Sequence, residues 1–353
     1  MKLIRILLFP FSILYGCIVY LRNKLYDNHL ISSTSFDVPV ICVGNLSMGG
    51  TGKSPHIEYI IRLLNTNYKI ATLSRGYGRS TTEFIIADKN LKVIDIGDEP
   101  MQFKNKFNNI IVAVDAKRVN GINKLLEKAP SLNVILLDDA FQHRAVTAGL
   151  SILLTDYNKL YTDDVMLPTG TLREFKSGAK RADIIIVTKC DATITAQEQD
   201  AIKRKINQLP HQRVYFSKIK YGNLVAMNGG SNSTGNKVLD KETTILLLTG
   251  IANPQPLENY LITKVKSITP AKFPDHHNFT EKDMMSVLNL FNTIAAANKM
   301  VVTTEKDFMR LKSSPAIHIL NSLPVFYLPI EITFLDTDKE MFNSQIINYV
   351  SRN

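Results

Sequence analysis

From Val43 to Pro55 the chain reads Val-Gly-Asn-Leu-Ser-Met-Gly-Gly-Thr-Gly-Lys-Ser-Pro, and these residue types at this spacing suit one chemistry, the cradling of a nucleotide's phosphates. Gly49, Gly50 and Gly52 let the backbone curl until successive N–H groups face a single anion, with Ser47, Met48 and Thr51 filling out the loop. Lys53 can reach the β- and γ-phosphates, and the Ser54 hydroxyl can bind Mg²⁺. One position departs from the strict pattern G-x-x-x-x-G-K-[ST], since Ser47 stands where glycine is the rule. Asp138 and Asp139 close the apolar run 133–137, and a carboxylate at the end of such a strand holds Mg²⁺ directly or through water. Sequence alone does not separate the two aspartates. Loop and carboxylates together imply a user of ATP or GTP.

Other groups suit a phosphoryl acceptor. Gly97-Asp98-Glu99-Pro100 places two carboxylates in a loop before a helical stretch, and an acceptor hydroxyl needs such a base or orienting group. Asp275-His276-His277 reads as a catalytic dyad, a polar loop or a metal site, the last being weakest because no third strong ligand is near. Arg75 and Arg79 flank flexible glycines and suit a phosphate or sugar, while Arg173 and Glu174 supply a charged pair on a turn-rich loop. Gln142 and His143 lie in a stretch too polar for a strand and are expected to line the pocket. Thr188-Lys189-Cys190-Asp191 echoes the Asn-Lys-x-Asp guanine reader with Thr for Asn, which keeps a P-loop GTPase or metallochaperone-type protein as the alternative.

The elements that must position these groups alternate along the chain. Apolar strand-like runs lie at 38–43, 69–73, 109–114, 133–137, 151–155, 183–187, 244–249, 299–303 and 325–328, with amphipathic helical stretches between them. The pattern is that of an α/β protein, P-loop NTPase-like, with a mainly parallel sheet flanked by helices and a second, smaller α/β domain. The expected organisation is an N-terminal helix at 1–24, a nucleotide-binding domain at 25–220, a linker at 221–241 carrying Gly-Gly-Ser-Asn-Ser-Thr-Gly-Asn at 229–236, and a smaller domain at 242–353. The last helix is a candidate to pack back on the first domain.

Residues 6–21 are uncharged, with Lys2 and Arg5 before them and Arg22 and Lys24 after. Sixteen residues fall short of the roughly 20 that span a bilayer. No small-residue cleavage site follows, so the segment reads as a helix lying in the interface of an anionic membrane surface, with a true span and an ordinary buried helix as the alternatives. A net charge of +10 favours an anionic partner. Cys17, Cys42 and Cys190 are odd in number and widely spaced, which argues against a disulfide framework or zinc site and for a cytoplasmic setting.

Taken in order, the glycine-rich loop, Ser74-Arg-Gly-Tyr-Gly-Arg79, Gly97-Asp-Glu-Pro100, Asp138-Asp-Ala-Phe-Gln-His143, Leu167-Pro-Thr-Gly-Thr-Leu-Arg-Glu174, Gly250-Ile-Ala-Asn-Pro254, Phe273-Pro-Asp-His-His277 and Thr303-Thr-Glu-Lys-Asp307 resemble the tetraacyldisaccharide 4'-kinase (lipid A 4'-kinase) family. The resemblance covers nearly the whole chain. It makes Ser47 a family trait, and leaves two departures: Ser54 for the usual threonine and Ala140 for the usual glycine. It implies transfer of the ATP γ-phosphate, with Mg²⁺, to the 4'-hydroxyl of a tetraacyldisaccharide 1-phosphate at the cytoplasmic face of the bacterial inner membrane. The implied partners are this lipid A precursor and the membrane, with no nucleic acid and no protein partner. It also implies Asp98 as base, paired with His276. Because these two flank the proposed linker, domain closure is expected to bring them together.

Overall fold

The structure, a computed structural model, describes residues 2–227, 238–335 and 338–352. The chain divides into two units, one made of Met1–Lys89, Phe103–Ile219 and Ile332–Asn353, the other of Asn90–Gln102 and Lys220–Glu331. In chain order the elements begin with α1 (Lys2–Asp27), β1 (Val40–Asn45), α2 (Lys53–Leu64), β2 (Ile70–Ser74), β3 (Ile85–Ile86), α3 (Val93–Ile96), α4 (Asp98–Lys106), β4 (Ile111–Val114), α5 (Arg118–Lys128) and β5 (Val134–Asp138). They continue with β6 (Leu150–Asp156), β7 (Ile184–Thr188), α6 (Ala196–Ile206), β8 (Arg213–Tyr221) and β9 (Val225–Ala226). Then come β10 (Thr244–Thr249), α7 (Gln255–Ile262), β11 (Ser267–Lys272), α8 (Glu281–Thr293), β12 (Lys299–Thr304), α9 (Glu305–Ser313), β13 (Val325–Leu328), β14 (Ile330–Phe334) and α10 (Asp338–Ser351).

The first unit is built on a nine-stranded sheet in the order β14-β8-β7-β6-β1-β5-β2-β4-β3. The pairs from β8 through to β4 are parallel, and β3 lies antiparallel on β4. A parallel sheet covered on both faces needs apolar side chains on both, which is why these strands are near-continuous runs such as Val-Ile-Leu-Leu. Strand β1 runs between β5 and β6, and its register pairs Val43 with Asp138. Adjacent strands lie about 4.8 Å apart, so this register alone sets a carboxylate beside the start of the glycine loop.

The returning segment completes the unit. Phe334 packs on Tyr59 at 5.2 Å and stacks on Phe342 at 4.4 Å, joining α10 to α2. The Tyr349 hydroxyl accepts from the Val40 N–H and donates to the Val40 carbonyl, both at 3.1 Å.

Helix α1 is inside out relative to an ordinary surface helix. It buries Ser12 and Gly16 and leaves Leu7, Phe9, Phe11, Ile13, Leu14, Ile18 and Leu21 exposed. Ser12 donates to Thr169 at 2.7 Å, Tyr15 donates to the Arg173 carbonyl at 2.9 Å, and a Cβ at Gly16 would lie 2.9 Å from the Phe175 ring. No described helix is long and apolar enough to cross a membrane.

The second unit is a five-stranded sheet in the order β11-β10-β12-β13-β9, parallel except for β9. One apolar cluster forms around Leu257 and Leu261 of α7, the other around Met284, Val287 and Phe291 of α8 with Leu311 of α9.

The sequence runs correspond to nine of these strands, whereas β3, β8, β9, β11 and β14 were not anticipated. Strand β11 contains Pro270, which an edge strand tolerates because one side of it has no ladder to complete. At the expected linker, 221–227 is structured up to strand β9, which pairs with β13, and the glycine-serine stretch 229–236 lies outside the described residues.

Candidate active site

The loop between β1 and α2 is shaped by three constraints. Gly44 must lack a side chain, because a Cβ would sit 2.7 Å from that of Phe141. Gly49 and Gly52 adopt φ of 117° and 88°, where a side chain is strained. Side chains then fix the curl: Asn45 donates to Thr51 Oγ1 at 2.8 Å, Thr188 donates to the Thr51 carbonyl at 2.9 Å, and the Met48 N–H donates to the Thr171 carbonyl at 2.7 Å. His56 lies behind, its Nδ1 2.6 Å from the Gly52 carbonyl and its Nε2 3.0 Å from Ser217. Burial lowers its pKa to about 4, so the ring is neutral near pH 7. A carbonyl only accepts, so Nδ1 carries the hydrogen and Nε2 accepts from the serine. The amides of Gly50, Gly52, Lys53 and Ser54 meet no acceptor among the described residues, as the first turn of a helix dictates. Open space lies over Gly49 and Gly50. The result is a rigid nest of free donors at a helix N-terminus, an anion site by construction.

The two aspartates at the end of β5 diverge. Asp138 is buried and accepts from Ser74 at 3.3 Å. Asp139 takes a left-handed φ of 46°, which swings its carboxylate toward Lys53 at 3.7 Å and onto Arg173 at 2.8 and 3.2 Å. Burial pushes the Asp139 pKa up, but the Lys53 and Arg173 cations outweigh it and hold it below the usual range. Arg118 lies buried beneath, donating to the backbone carbonyls of Asp115 and, at 3.5 Å, Asp138. Arg173 also donates to the Asn45 carbonyl at 3.0 Å and contacts its side-chain oxygen, tying the ends of β1 and β5 together.

Arg173 and Glu174 do not pair with each other. Glu174, 1% exposed, accepts from Arg181 at 2.8 Å on both oxygens, from Gln142 at 2.9 Å and from Asn23 of α1 at 3.0 Å. A cavity of about 250 Å³ opens above, between α1 and these strand ends, presenting Arg22, Arg75 and Arg173 with Gln142. Arg75 is exposed there. Arg79 is not brought to this group; it donates to the carbonyls of Thr82 and Glu83 and closes its own loop. His143 lines a neighbouring cavity of about 190 Å³, its pKa lowered to about 4 by burial and by the charges of Arg118, Arg75 and Arg22.

The second unit carries its own charged cluster. Asp98 opens α4, and its Oδ2 lies 3.0 Å from Nδ1 of His276, which occupies a left-handed φ of 58°. Arg310 donates to the same oxygen through Nε at 2.8 Å and Nη2 at 2.7 Å. Burial alone would raise the Asp98 pKa; the hydrogen bonds from His276 and Arg310 and the charges of Arg310 and Lys306 bring it down to about 2. Glu99 pairs with Lys306 at 2.6 Å.

The expectation that domain closure unites Asp98 and His276 is corrected by this arrangement. Residues Asn90–Gln102 belong to the same unit as His276, held there by the ion pairs to α9 and by α3 packing on that helix. The remaining histidine is occupied separately, His277 stacking on Phe273 and pairing with Asp283 at 2.9 Å. Among the described residues no group of three or more His, Cys, Asp or Glu could hold a metal ion by itself.

The sequence profile of the tetraacyldisaccharide-1-P 4'-kinase family, LpxK, matches residues 4–351. The chain belongs to this kinase family. The tetraacyldisaccharide 4'-kinase of Flavobacterium johnsoniae is 47% identical over 353 residues, covering 100% of this chain and 99% of its own, and that of Bacteroides thetaiotaomicron is 45% identical over 354 residues, covering 98% and 93%. Among solved structures, the "apo" form of LpxK from Aquifex aeolicus in complex with ATP aligns with a TM-score of 0.73 at 26% identity, over 98% of this chain and 99% of that one.

Family membership disfavours the GTPase and metallochaperone alternative, and Lys189 of the guanine-reader echo is engaged with Asp156 at 2.7 Å. Ala140, where a kinase of this family usually has glycine, is accommodated because the left-handed turn falls one residue earlier, at Asp139. Residues to which sequence reading gave no role are Arg118, Arg181, Lys306, Asp307 and Arg310. Their signal is faint: charges spaced along amphipathic helices or loops look like a solvated face until a distant partner arrives.

Proposed function

We infer that this protein is an ATP-dependent kinase that transfers the γ-phosphate of ATP to the 4'-hydroxyl of a tetraacyldisaccharide 1-phosphate, a step of lipid A biosynthesis. The observation that carries this reading is the family match over residues 4–351 in a chain whose glycine loop keeps four amides open at a helix N-terminus. In this reading the amides of Gly50, Gly52, Lys53 and Ser54 and the Lys53 ammonium bind the phosphates. Ser54 and Asp138 offer hard oxygen ligands that fit Mg²⁺, and two protein ligands suit an ion that takes most of its coordination from phosphate and water. Bound there, Mg²⁺ supplies positive charge to the transferring phosphoryl group. Asp139 acts differently, holding Lys53 and Arg173 at the mouth of the loop.

Asp98 receives the acceptor. A carboxylate with a pKa near 2 is ionised throughout the working range but is a weak base, which suits a loose transition state whose nucleophile needs orienting before it loses its proton. The sugar oxygen forms its bond to the γ-phosphorus as the bond to the ADP oxygen breaks, and the hydroxyl proton passes to the Asp98–His276 pair. The arginine-lined cavity under α1, with Arg22, Arg75 and Arg173, suits an anionic sugar headgroup. Helix α1, polar toward the protein and apolar outward, supports docking on the cytoplasmic face of the inner membrane, where that headgroup lies.

The test is purified protein with ATP, Mg²⁺ and the disaccharide acceptor. Formation of 4'-phosphorylated lipid is expected; ATP or GTP hydrolysis without that product would refute the assignment.

A further inference from the structure

Arg310 is the one arginine of the second unit, and its side chain is 3% exposed. Its guanidinium is bound on every edge. Nε and Nη2 donate to Oδ2 of Asp98, Nη1 donates to Oδ1 of Asp307 and to the Gly250 carbonyl at 3.0 Å each, and Nη2 also faces Nδ1 of His276 at 3.2 Å. Asp307 is locked in turn, its Oδ2 accepting from the Gly250 N–H at 2.9 Å and from Thr304 at 2.7 Å. A planar fork with four of its N–H groups on the fixed acceptors of Asp98, Asp307 and Gly250 cannot rotate, so the guanidinium is a fixed object against which Asp98 is set.

The consequence lies in how the Asp98 oxygens are used. Oδ2 gathers both Arg310 donors and the His276 ring nitrogen, whereas Oδ1 meets no donor among the described residues. We propose that Arg310 is a positioning residue of the kinase, fixing the Asp98 carboxylate so that Oδ1 alone is presented to the acceptor hydroxyl. Nδ1 of His276 lies between the two ions and can hold either a hydrogen, given to Asp98, or a lone pair, facing Arg310. The charged groups around the Asp98 carboxylate are Arg310 and Lys306 with Asp307 and Glu99, and Asp275 lies 3.9 Å from Nε2 of His276. Lysine substitutes only in part, because a single ammonium reaches Asp98 or Asp307 but does not clamp both.

The assignment rests on the reading of Asp98 as the group that receives the acceptor, and the experiment separates the two. The full-length protein and its R310M, R310K, D98N and D98N/R310M variants are assayed with ATP, Mg²⁺ and the disaccharide acceptor, over a pH series and alongside thermal unfolding. R310M is expected to lower kcat by about 10²-fold, the low end of general acid–base contributions, with KM for ATP within about twofold of the parent. Its acid limb should move to higher pH, since the carboxylate loses its cation, and R310K should recover part of the rate. In the D98N background R310M should cost nothing further. Parental kcat in R310M beside an inactive D98N overturns the role of Arg310 alone, as does a rate loss that multiplies with D98N or leaves the pH profile unmoved. A fully active D98N instead overturns the reading of Asp98. Should R310M fail to fold, R310K carries the same comparison, and a parental kcat and pH profile in R310K overturns the proposal.

Discussion

Replacing Glu174 by alanine tests whether this residue anchors the phosphate site or touches substrate. The carboxylate is 1% exposed and accepts four hydrogen bonds from Arg181, Gln142 and Asn23. The surrounding turn is wrapped so closely that a Cβ on Gly178 would lie 2.7 Å from Oε2. Breaking a buried ion pair costs about 3–5 kcal/mol, because the stranded partner keeps its desolvation penalty. The Arg181 side chain is 26% exposed and can rehydrate in part, so the lower end, about 3 kcal/mol, applies. For a unit of this size about 2–4 °C is lost per kcal/mol, which gives a fall in Tm of roughly 6–12 °C. Glu174→Gln keeps the shape and one acceptor oxygen but turns a donor toward donors, and should fall about halfway. Neither loss should be rescued at low salt or worsened at high salt, since buried pairs are little screened. Calorimetry of the full-length protein reads the shift, and acceptor KM measured well below the transition reads the alternative. A Glu174→Ala variant that unfolds with its parent but loses acceptor affinity refutes the anchoring role and assigns Glu174 to the substrate.

The remaining predictions concern the second unit and α1. Asp98→Asn and His276→Ala should each lower turnover by orders of magnitude while leaving ATP binding intact, and a parental rate in either removes that residue from the chemistry. Asp98→Asn also has a stability signature. The folded pKa of about 2 lies below the ordinary aspartate value of 3.8, so Asp98 contributes about 2 kcal/mol above pH 4 that is lost as the pH falls toward 2. The parent should therefore lose about 2 kcal/mol more than the variant between pH 5 and pH 2, and parallel acid-unfolding curves would contradict the ion-pair geometry. Deleting residues 1–24 should release the protein from vesicles of anionic lipid in a flotation assay; unchanged flotation would count against the interfacial helix.

What the sequence made legible follows from how locally each feature is encoded. The central strands were readable because a parallel sheet buried on both faces demands unbroken apolar runs, and the phosphate loop was readable because its work is done by backbone shape, which glycine spacing records directly. Edge strands such as β11, half exposed and interrupted by Pro270, carry no such demand. The charged cluster around Asp98 was half legible. Its carboxylate and histidine were nominated, but residues 90–102 were assigned to the unit that precedes and follows them in the chain, since nothing local announces an excursion into the other unit. Arg173 and Glu174 misled in the opposite way, because neighbours of opposite charge suggest a pair, whereas adjacent side chains leave the backbone in different directions. Each found its partner elsewhere, Asp139 for the arginine and Arg181 for the glutamate.

Arg310 shows where the limit lies. Standing three residues after Asp307 in α9, it has the spacing of an ordinary exposed i, i+3 ion pair, worth roughly a few tenths of a kcal/mol and no functional inference. Only the arrival of Asp98, 212 residues away in sequence, turns that pair into a buried clamp on a second carboxylate. A buried guanidinium held by two carboxylates and a backbone carbonyl is costly to assemble and rigid once assembled. Rigidity of that kind is what the role we propose for Asp98 requires, because the rate would then depend on holding a weakly basic carboxylate in line rather than on strengthening it as a base.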